Sequence, residues 1–391
     1  MCKSNGGVFG ELVKYELKKI FINKVTIIAL ILSTCLLAGT SLIEYIFISP
    51  EDRYIAKREG EIEGRFIDDK LIDDVADTAT QFGSLTEIPG DNTYSHIGSY
   101  MNRALGTYMN IEGISGEYEL SELTEEQFYR TRESILEYLY DYFCLSDAEK
   151  EYWTSKEAQI PKPFVWKTNY GLYSMRANIS ASITLAIFLI GICLSGVYAG
   201  ELSHRTEDLI LCTKTGKETI AAAKLISGGL FSAIVGGILF IAVNSPHVIF
   251  NGFNGWDTAC QLIIPFTSYP YTSGKMLLVC FGVYMLASVL AGAIAMFLSC
   301  VLKNMVASAG VICGTVFVDL FFTIPHRFRV LSQMRFLTPI QVLINGSMTD
   351  PRLVHIGEHF LGTYQTAAIL YVVLICVFCM LTYQAYMRVK R

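Results

Sequence analysis

The sequence predicts an all-α integral membrane protein, with six transmembrane helices and a helical extracytoplasmic domain between the first and second. Three observations carry that fold class. Mean hydropathy is +0.40 over 391 residues, with 52% hydrophobic and 17% charged, a balance outside the range of ordinary soluble domains. The apolar residues gather in runs of roughly 20, each long enough to cross a hydrocarbon core of about 30 Å as helix. Charge is also unevenly spread: net charge is −5, yet Glu51 to Glu157 holds 25 of the 36 acidic residues and 10 of the 31 basic ones. The remainder is net positive, which suits an acidic domain outside and basic loops inside, and gives no reason to expect nucleic acid.

Residues 1–24 form a cytoplasmic segment in which Phe9, Leu12, Val13, Leu17, Ile20 and Phe21 share one helical face and Lys14, Lys18 and Lys19 the other. This predicts an amphipathic helix on the inner membrane surface, or an ordinary positive flank to the first span. Residues 25–48 are the first span. Its length and the want of a convincing cleavage site favour an uncleaved anchor over a secretory signal.

Residues 49–176 form the acidic domain. Thr124 with Gln127, and Ser146 with Glu149, are capping-box pairs. Phe128, Ile135, Leu139 and Tyr142 follow the first at helical spacing, which predicts a packed helical domain. The run Ile67 to Asp77 lacks the Gly and terminal Glu of an EF-hand loop. Its Ile67, Leu71, Ile72 and Val75 instead mark a helix face opposite solvated carboxylates. Trp166, Tyr170 and Tyr173 gather where the chain re-enters the bilayer, as an aromatic belt does.

The second span covers 177–200, the third 225–243, with Gly228-Gly229 and Gly236-Gly237 permitting close helix approach. Residues 244–275 form an external loop, 276–298 the fourth span, and 306–324 the fifth. Residues 325–362 are assigned outside, although Arg327, Arg329, Arg335 and Arg352 make that loop more basic than the positive-inside rule prefers. The sixth span covers 363–384, and 385–391 form a basic inner tail. Both termini are thus expected in the cytoplasm.

Between spans two and three lies the polar segment 201–224, carrying Arg205, Lys214, Lys217 and Lys224. Leu209, Ile210 and Leu211 follow Glu207 and Asp208, a helix start with acids at the positive dipole end. Lys214-Thr215-Gly216-Lys217 reads as a helix stop. The order Glu201, Thr206, Leu209-Ile210-Leu211, Thr213-Lys214, Gly216-Lys217, Ala223-Lys224 resembles the first cytoplasmic loop of bacterial ABC-2 class transporter permeases. Arg205 stands where that family usually has a small residue, and Lys217 where Arg is commoner. The resemblance implies a permease subunit in a bacterial plasma membrane, working as a dimer on a separate ABC ATPase that binds the ATP and Mg. Glu201, Thr206, Leu209, Leu211, Thr213, Lys214, Gly216, Lys217 and Lys224 would then be the ATPase-coupling residues, and export the expected direction, with the cargo undefined.

The chain offers no site for ATP of its own. Gly216-Lys217-Glu218-Thr219 has Glu where a phosphate loop needs Ser or Thr next to its Lys, and Leu211 at the first Gly position. No cofactor and no catalytic residue is therefore assigned. His355-Ile356-Gly357-Glu358-His359 matches H-x-x-E-H, the inverted zinc-protease signature, but no further side-chain carboxylate follows Glu358 as a third ligand. Asp319 lies inside the fifth span and either lines a polar path or pairs with Arg327. Cys144 and Cys260 fall in external segments, and spacing leaves their pairing open. Cys376-x-x-Cys379 sits in a membrane helix, where cysteines act as small hydrophobes. The competing reading is a membrane-anchored sensor or interaction protein whose acidic external domain binds a ligand without transport.

Overall fold

The computed structural model describes residues 5–46, 61–106, 123–203, 216–344, 350–357 and 359–388. Helix α1 (Asn5–Ile22) leads into α2 (Lys24–Ile46) through Asn23, whose side-chain oxygen accepts from Val25 N at 3.0 Å. That bond satisfies an amide the helix start would otherwise leave open. Four helices follow: α3 (Asp69–Phe82), α4 (Ser95–Ala104), α5 (Glu125–Tyr142) and α6 (Asp147–Glu157). Then come α7 (Tyr170–Leu194), its continuation α8 (Gly196–Ser203), α9 (Gly216–Asn251), α10 (Ser273–Leu302), α11 (Met305–Phe321), the short α12 (Arg329–Phe336) and finally α13 (Thr363–Arg388).

Among the described residues, five helical stretches are long and apolar enough to cross a membrane: 24–46, 170–201, 217–251, 273–302 and 363–388. The helix expected over 306–324 is shorter, 17 residues at Met305–Phe321, or about 25 Å at 1.5 Å per residue. Lys303 takes a left-handed conformation at φ 55° to end α10, and Asn304 caps α11 by accepting from Val306 N and Ala307 N. The chain thus reverses within two residues.

Close backbone approach holds the apolar bundle together. A Cβ on Gly236 would lie 2.5 Å from Ser288 Oγ, and Gly228 abuts Met296, whereas Gly229 and Gly237 have nothing within 4 Å. One glycine of each pair therefore seats α10, as small residues do between membrane helices. Ser182 Oγ and Tyr284 OH, 2.8 Å apart, satisfy each other inside this core.

Helices α3 to α6 form a polar domain that caps one end of the bundle. Its ends lie side by side, since Gly64 N donates to Trp166 O and Ile67 N to Phe164 O, both at 2.8 Å. Both sequence-derived capping boxes are present at Thr124/Gln127 and Ser146/Glu149, and Asp68 caps α3. Leu71, Ile72 and Val75 are fully buried while Asp73 and Asp77 are exposed, as the helix-face reading requires. Phe128, Ile135 and Leu139 are buried too, but Tyr142 is 51% exposed and stacks on Tyr138.

Two distant segments complete the cap. Leu136, Leu139 and Trp153 pack with Phe266, Tyr269 and Leu353, so the stretches 252–272 and 325–362 meet the α3–α6 domain on one side. The second stretch departs from the all-α expectation: Val354–Ile356 (β1) and His359–Leu361 (β2) form an antiparallel hairpin about Gly357 at φ +64°. The helix expected over 225–243 also runs further, 216–251, through Pro246. Proline removes the helical donor to Ala242 O, and near it Ser41 of α2 donates to Val243 O at 2.8 Å and Asn244 to Phe240 O at 2.7 Å.

Candidate functional site

Helix α1 sets the first part of the site. Its apolar face buries Ile20 and places Phe21 against Phe231 of α9, ring centroids 4.9 Å apart, while Lys14 and Lys18 stay exposed. Glu16 falls on the same inward face and is 6% exposed. A buried carboxylate needs a cation, and Lys224 near the start of α9 is the neighbour, its side chain wholly buried.

Lys224 Nζ lies 2.5 Å from Glu201 Oε1 and 3.8 Å from Glu16 Oε2. Lys19 Nζ reaches the same Glu201 oxygen at 2.5 Å and Glu16 at 3.7 Å. Two carboxylates and two ammonium groups therefore join α1, α8 and α9 in a single neutral cluster. Val197 O accepts from Lys224 at 3.4 Å, and the Tyr198 ring lies 5.3 Å below the ammonium. Burial alone would lower the Lys19 pKa, but its bond to Glu201 and the nearby Glu16 outweigh that and hold it above the ordinary lysine value. Lys19 is charged at any physiological pH.

Of the residues expected to couple to a motor, Glu201 and Lys224 thus meet each other across the ends of the segment 204–215. Thr206, Leu209, Leu211, Thr213 and Lys214 lie outside the described residues. Gly216 is the first described residue of α9. Lys217 donates to Met387 O at 3.4 Å and sits over the Tyr386 ring, 5.3 Å from its centroid. Tyr386 packs on Tyr198 at 5.4 Å, so the last turn of α13 joins the same end of the bundle.

Asp319 departs from the expected pair with Arg327. Its carboxylate accepts from Thr338 Oγ1 at 2.9 Å, and its backbone carbonyl from Arg335 at 3.1 Å and Gln341 at 2.8 Å. Arg327 instead lies over Phe328. The H-x-x-E-H motif also resolves structurally. The hairpin pairs His355 with Phe360 and His359 with Ile356, so strand alternation sets the two histidines on opposite faces. The zinc signature needs both on one helix face. Cys144 and Cys260 are unpaired, Cys144 exposed and Cys260 buried with its Sγ 3.4 Å from Tyr269 O.

A second polar cluster lies toward the cap, between α2, α7 and α9. Glu44 accepts from Ser174 at 2.6 Å and Tyr170 at 3.1 Å, and stands 3.9 Å from His247 Nε2. His247 also meets Tyr45 OH at 2.6 Å and Asn178 at 3.1 Å. Sequence reasoning passed over His247 and Asn178, and over Glu16. Polar residues recurring at helical spacing, such as Asn244, His247 and Asn251, were the available signal for the first. An acid on the apolar face of an amphipathic helix was the signal for Glu16.

The buried charges of the cap are held in pairs. Arg132 is fully buried, forks onto Glu157 and donates to Pro265 O at 2.8 Å and Thr267 O at 3.0 Å. Arg329 bonds Glu149 at 2.6 Å, and buried Arg352 bonds Asp350 at 2.6 Å. Desolvation would raise both glutamates, but Arg132 beside Glu157, and Arg329 with two backbone donors around Glu149, hold each below its ordinary pKa. These pairs account for two of the four arginines in 325–362, Arg329 and Arg352. No family model matches this chain, and no curated relative does.

Proposed function

We propose that this chain is the membrane-spanning permease subunit of an ATP-driven ABC exporter, of the ABC-2 class. It lies in a bacterial plasma membrane, with both termini in the cytoplasm, as a dimer on a separate ATPase. The observation that carries the reading is the Lys19–Glu201–Lys224 cluster. The segment that resembles a coupling loop is tied at both ends to α1 and to the two longest apolar helices. A displacement of the loop by a motor is therefore delivered to three helices together, which is what coupling requires.

Supporting this, the described residues of 61–166, 252–272 and 325–362 pack together in shared apolar clusters. Lys217, Tyr198 and Tyr386 meet beside the Lys224 clamp. Six crossings would set these two groups on opposite sides, the fifth being Met305–Phe321 extended by Phe322 to Pro325. Basic residues at the clamp end then face inward and the acidic cap outward.

Co-purification tests the reading. An affinity-tagged chain, purified from its native host, retains an ABC ATPase, and Leu209→Asp abolishes the association while the protein still reaches the membrane. Retention unaffected by Leu209→Asp, or a cap accessible only from the cytoplasm, overturns it. The sensor alternative predicts no ATPase retained at all.

A further inference from the structure

The polar cluster between α2, α7 and α9 sets two titratable side chains against each other within the apolar helices. The His247 side chain has no exposed surface, and Glu44, in the last turn of α2, keeps 30% of its own. Ionisable groups inside a membrane bundle are costly, which makes such a pair a candidate for function. The cluster lies about 35 Å along α9 from Lys224 at 1.5 Å per residue, and shares no residue with the clamp.

Hydrogen-bond accounting around the imidazole shows where a further proton goes. Nδ1 meets Tyr45 OH at 2.6 Å, and Nε2 meets Asn178 Nδ2 at 3.1 Å. An amide nitrogen donates, so Nε2 accepts, and the one proton of the neutral ring sits on Nδ1, given to the Tyr45 oxygen. Asn251 steadies that oxygen, since its amide nitrogen donates both to it and to His247 O. The ring nitrogen without a proton is therefore the one beside a carboxylate: Glu44 Oε2 stands 3.9 Å from Nε2. Glu44 Oε1 accepts from both Ser174 and Tyr170, which fixes the carboxylate with Oε2 toward the ring. A half-turn of the Asn178 amide exchanges its donor for an acceptor, so neutral and protonated imidazole both find partners without backbone movement.

Among the described residues, the other titratable groups around the ring are Tyr45 of α2 and, through Glu44, Tyr170 of α7. His96 of α4 stacks on Tyr170, and Arg103 lies over Tyr173 one step further out. Arg176, two residues on from Ser174, falls on the opposite side of α7, near Cys260, Cys280 and Tyr364. Within a turn of His247, α9 itself adds Asn244 and Asn251, which do not ionise.

We propose that Glu44 and His247 form a binding site for one proton. Hydronium at the exposed edge of Glu44 gives up its proton, water leaves, and an N–H bond forms at His247 Nε2. The pair then passes from a single negative charge to a neutral ion pair, so α2 and α9 gain an ionic contact across a seam otherwise held by neutral hydrogen bonds. The site is independent of the motor-coupling reading, because neither the clamp nor residues 204–215 take part.

The test is an NMR titration of full-length protein in detergent micelles, its six histidines ring-labelled with carbon-13 and nitrogen-15, between about pH 8 and pH 5. Signals lost in His247→Gln identify the ring. Nε2 gains a proton within that range. Glu44→Gln keeps an acceptor for Ser174 and Tyr170 but removes the charge, and lowers the proton affinity of His247 about tenfold, moving the midpoint about one pH unit downward. A packing role alone predicts no such displacement. If Glu44→Gln lowers the melting temperature, Asn178→Asp, which sets a second carboxylate beside Nε2, raises the affinity about tenfold instead. A ring that stays neutral throughout, that takes the proton at Nδ1, or whose midpoint is the same in wild type and both variants overturns the site. None of these outcomes alters ATPase retention, so failure here is distinct from failure of the motor-coupling reading.

Discussion

The two ends of the bundle are held by opposite strategies. At the cap end, Arg132, Arg329 and Arg352 each bond a different carboxylate, Glu157 also taking Lys162, and each arginine reaches a backbone carbonyl or hydroxyl of another segment. At the clamp end, two lysines share one oxygen of Glu201. Independent ties make the cap a single body, since losing any one leaves the others. A shared tie makes the clamp a point where one displaced carboxylate alters three helices. Buried pairs resist the removal of either partner far more than surface pairs do, so substitutions can separate the two designs.

The largest effect is expected from Arg132→Ala, which leaves Glu157 with Lys162 alone and strands two buried carbonyls. We expect a loss of about 3–5 kcal/mol, read as a lowered melting temperature and faster proteolysis between 123 and 166. Clamp-end stability should be unaffected, and coupled melting of both ends would break the comparison. Next, Glu201→Gln leaves buried Lys224 with only the more distant Glu16. The expected cost is roughly 3 kcal/mol; on the proposed function, ATP hydrolysis by a co-purifying ATPase should also stop responding to this chain. Lys19→Gln, whose side chain is 47% exposed, should cost under about 1 kcal/mol.

Acid should sharpen the contrast. Glu149 and Glu157 have pKa values held below the ordinary value in the folded cap, so their contribution is fully present above about pH 4.3. It falls as pH drops through the lower folded values. Cap unfolding, followed by Trp153 fluorescence, should therefore become easier below about pH 4.3, and Arg329→Gln should flatten the dependence. The smallest effect belongs to Lys167→Ala, because its partner Asp257 has a 72% exposed side chain and such pairs contribute below about 1 kcal/mol.

What the sequence made legible was local. Capping boxes at Thr124 and Ser146, the inward face of 67–79 and the apolar face of α1 all follow from spacings of three or four residues. What it concealed was long-range. Arg329 finds Glu149 at a separation of 180 residues, so a charge count over 325–362 registers an excess that the fold has partly neutralised. Pro246 and His247 resemble a loop because proline and polar residues usually end spans, yet here α2 and α7 supply their partners. Asp319 was legible as an intramembrane acid, but its partner Thr338 carries no charge to betray it. Of the candidate site, Glu201 and Lys224 could be named, but not their contact with each other, which depends on the hairpin they bracket.

Lys224 also makes the bundle depend on the amino-terminal helix. Its ammonium is surrounded by Glu16 of α1, Glu201 of α8 and the Val197 carbonyl, so a chain lacking α1 would keep Glu201 opposite Lys224 but lose Glu16 and Lys19 together, leaving a buried cation with a single carboxylate. Amino-terminal truncation should therefore loosen the junction of α8 and α9 at a distance, read as a lowered melting temperature in a chain that still reaches the membrane.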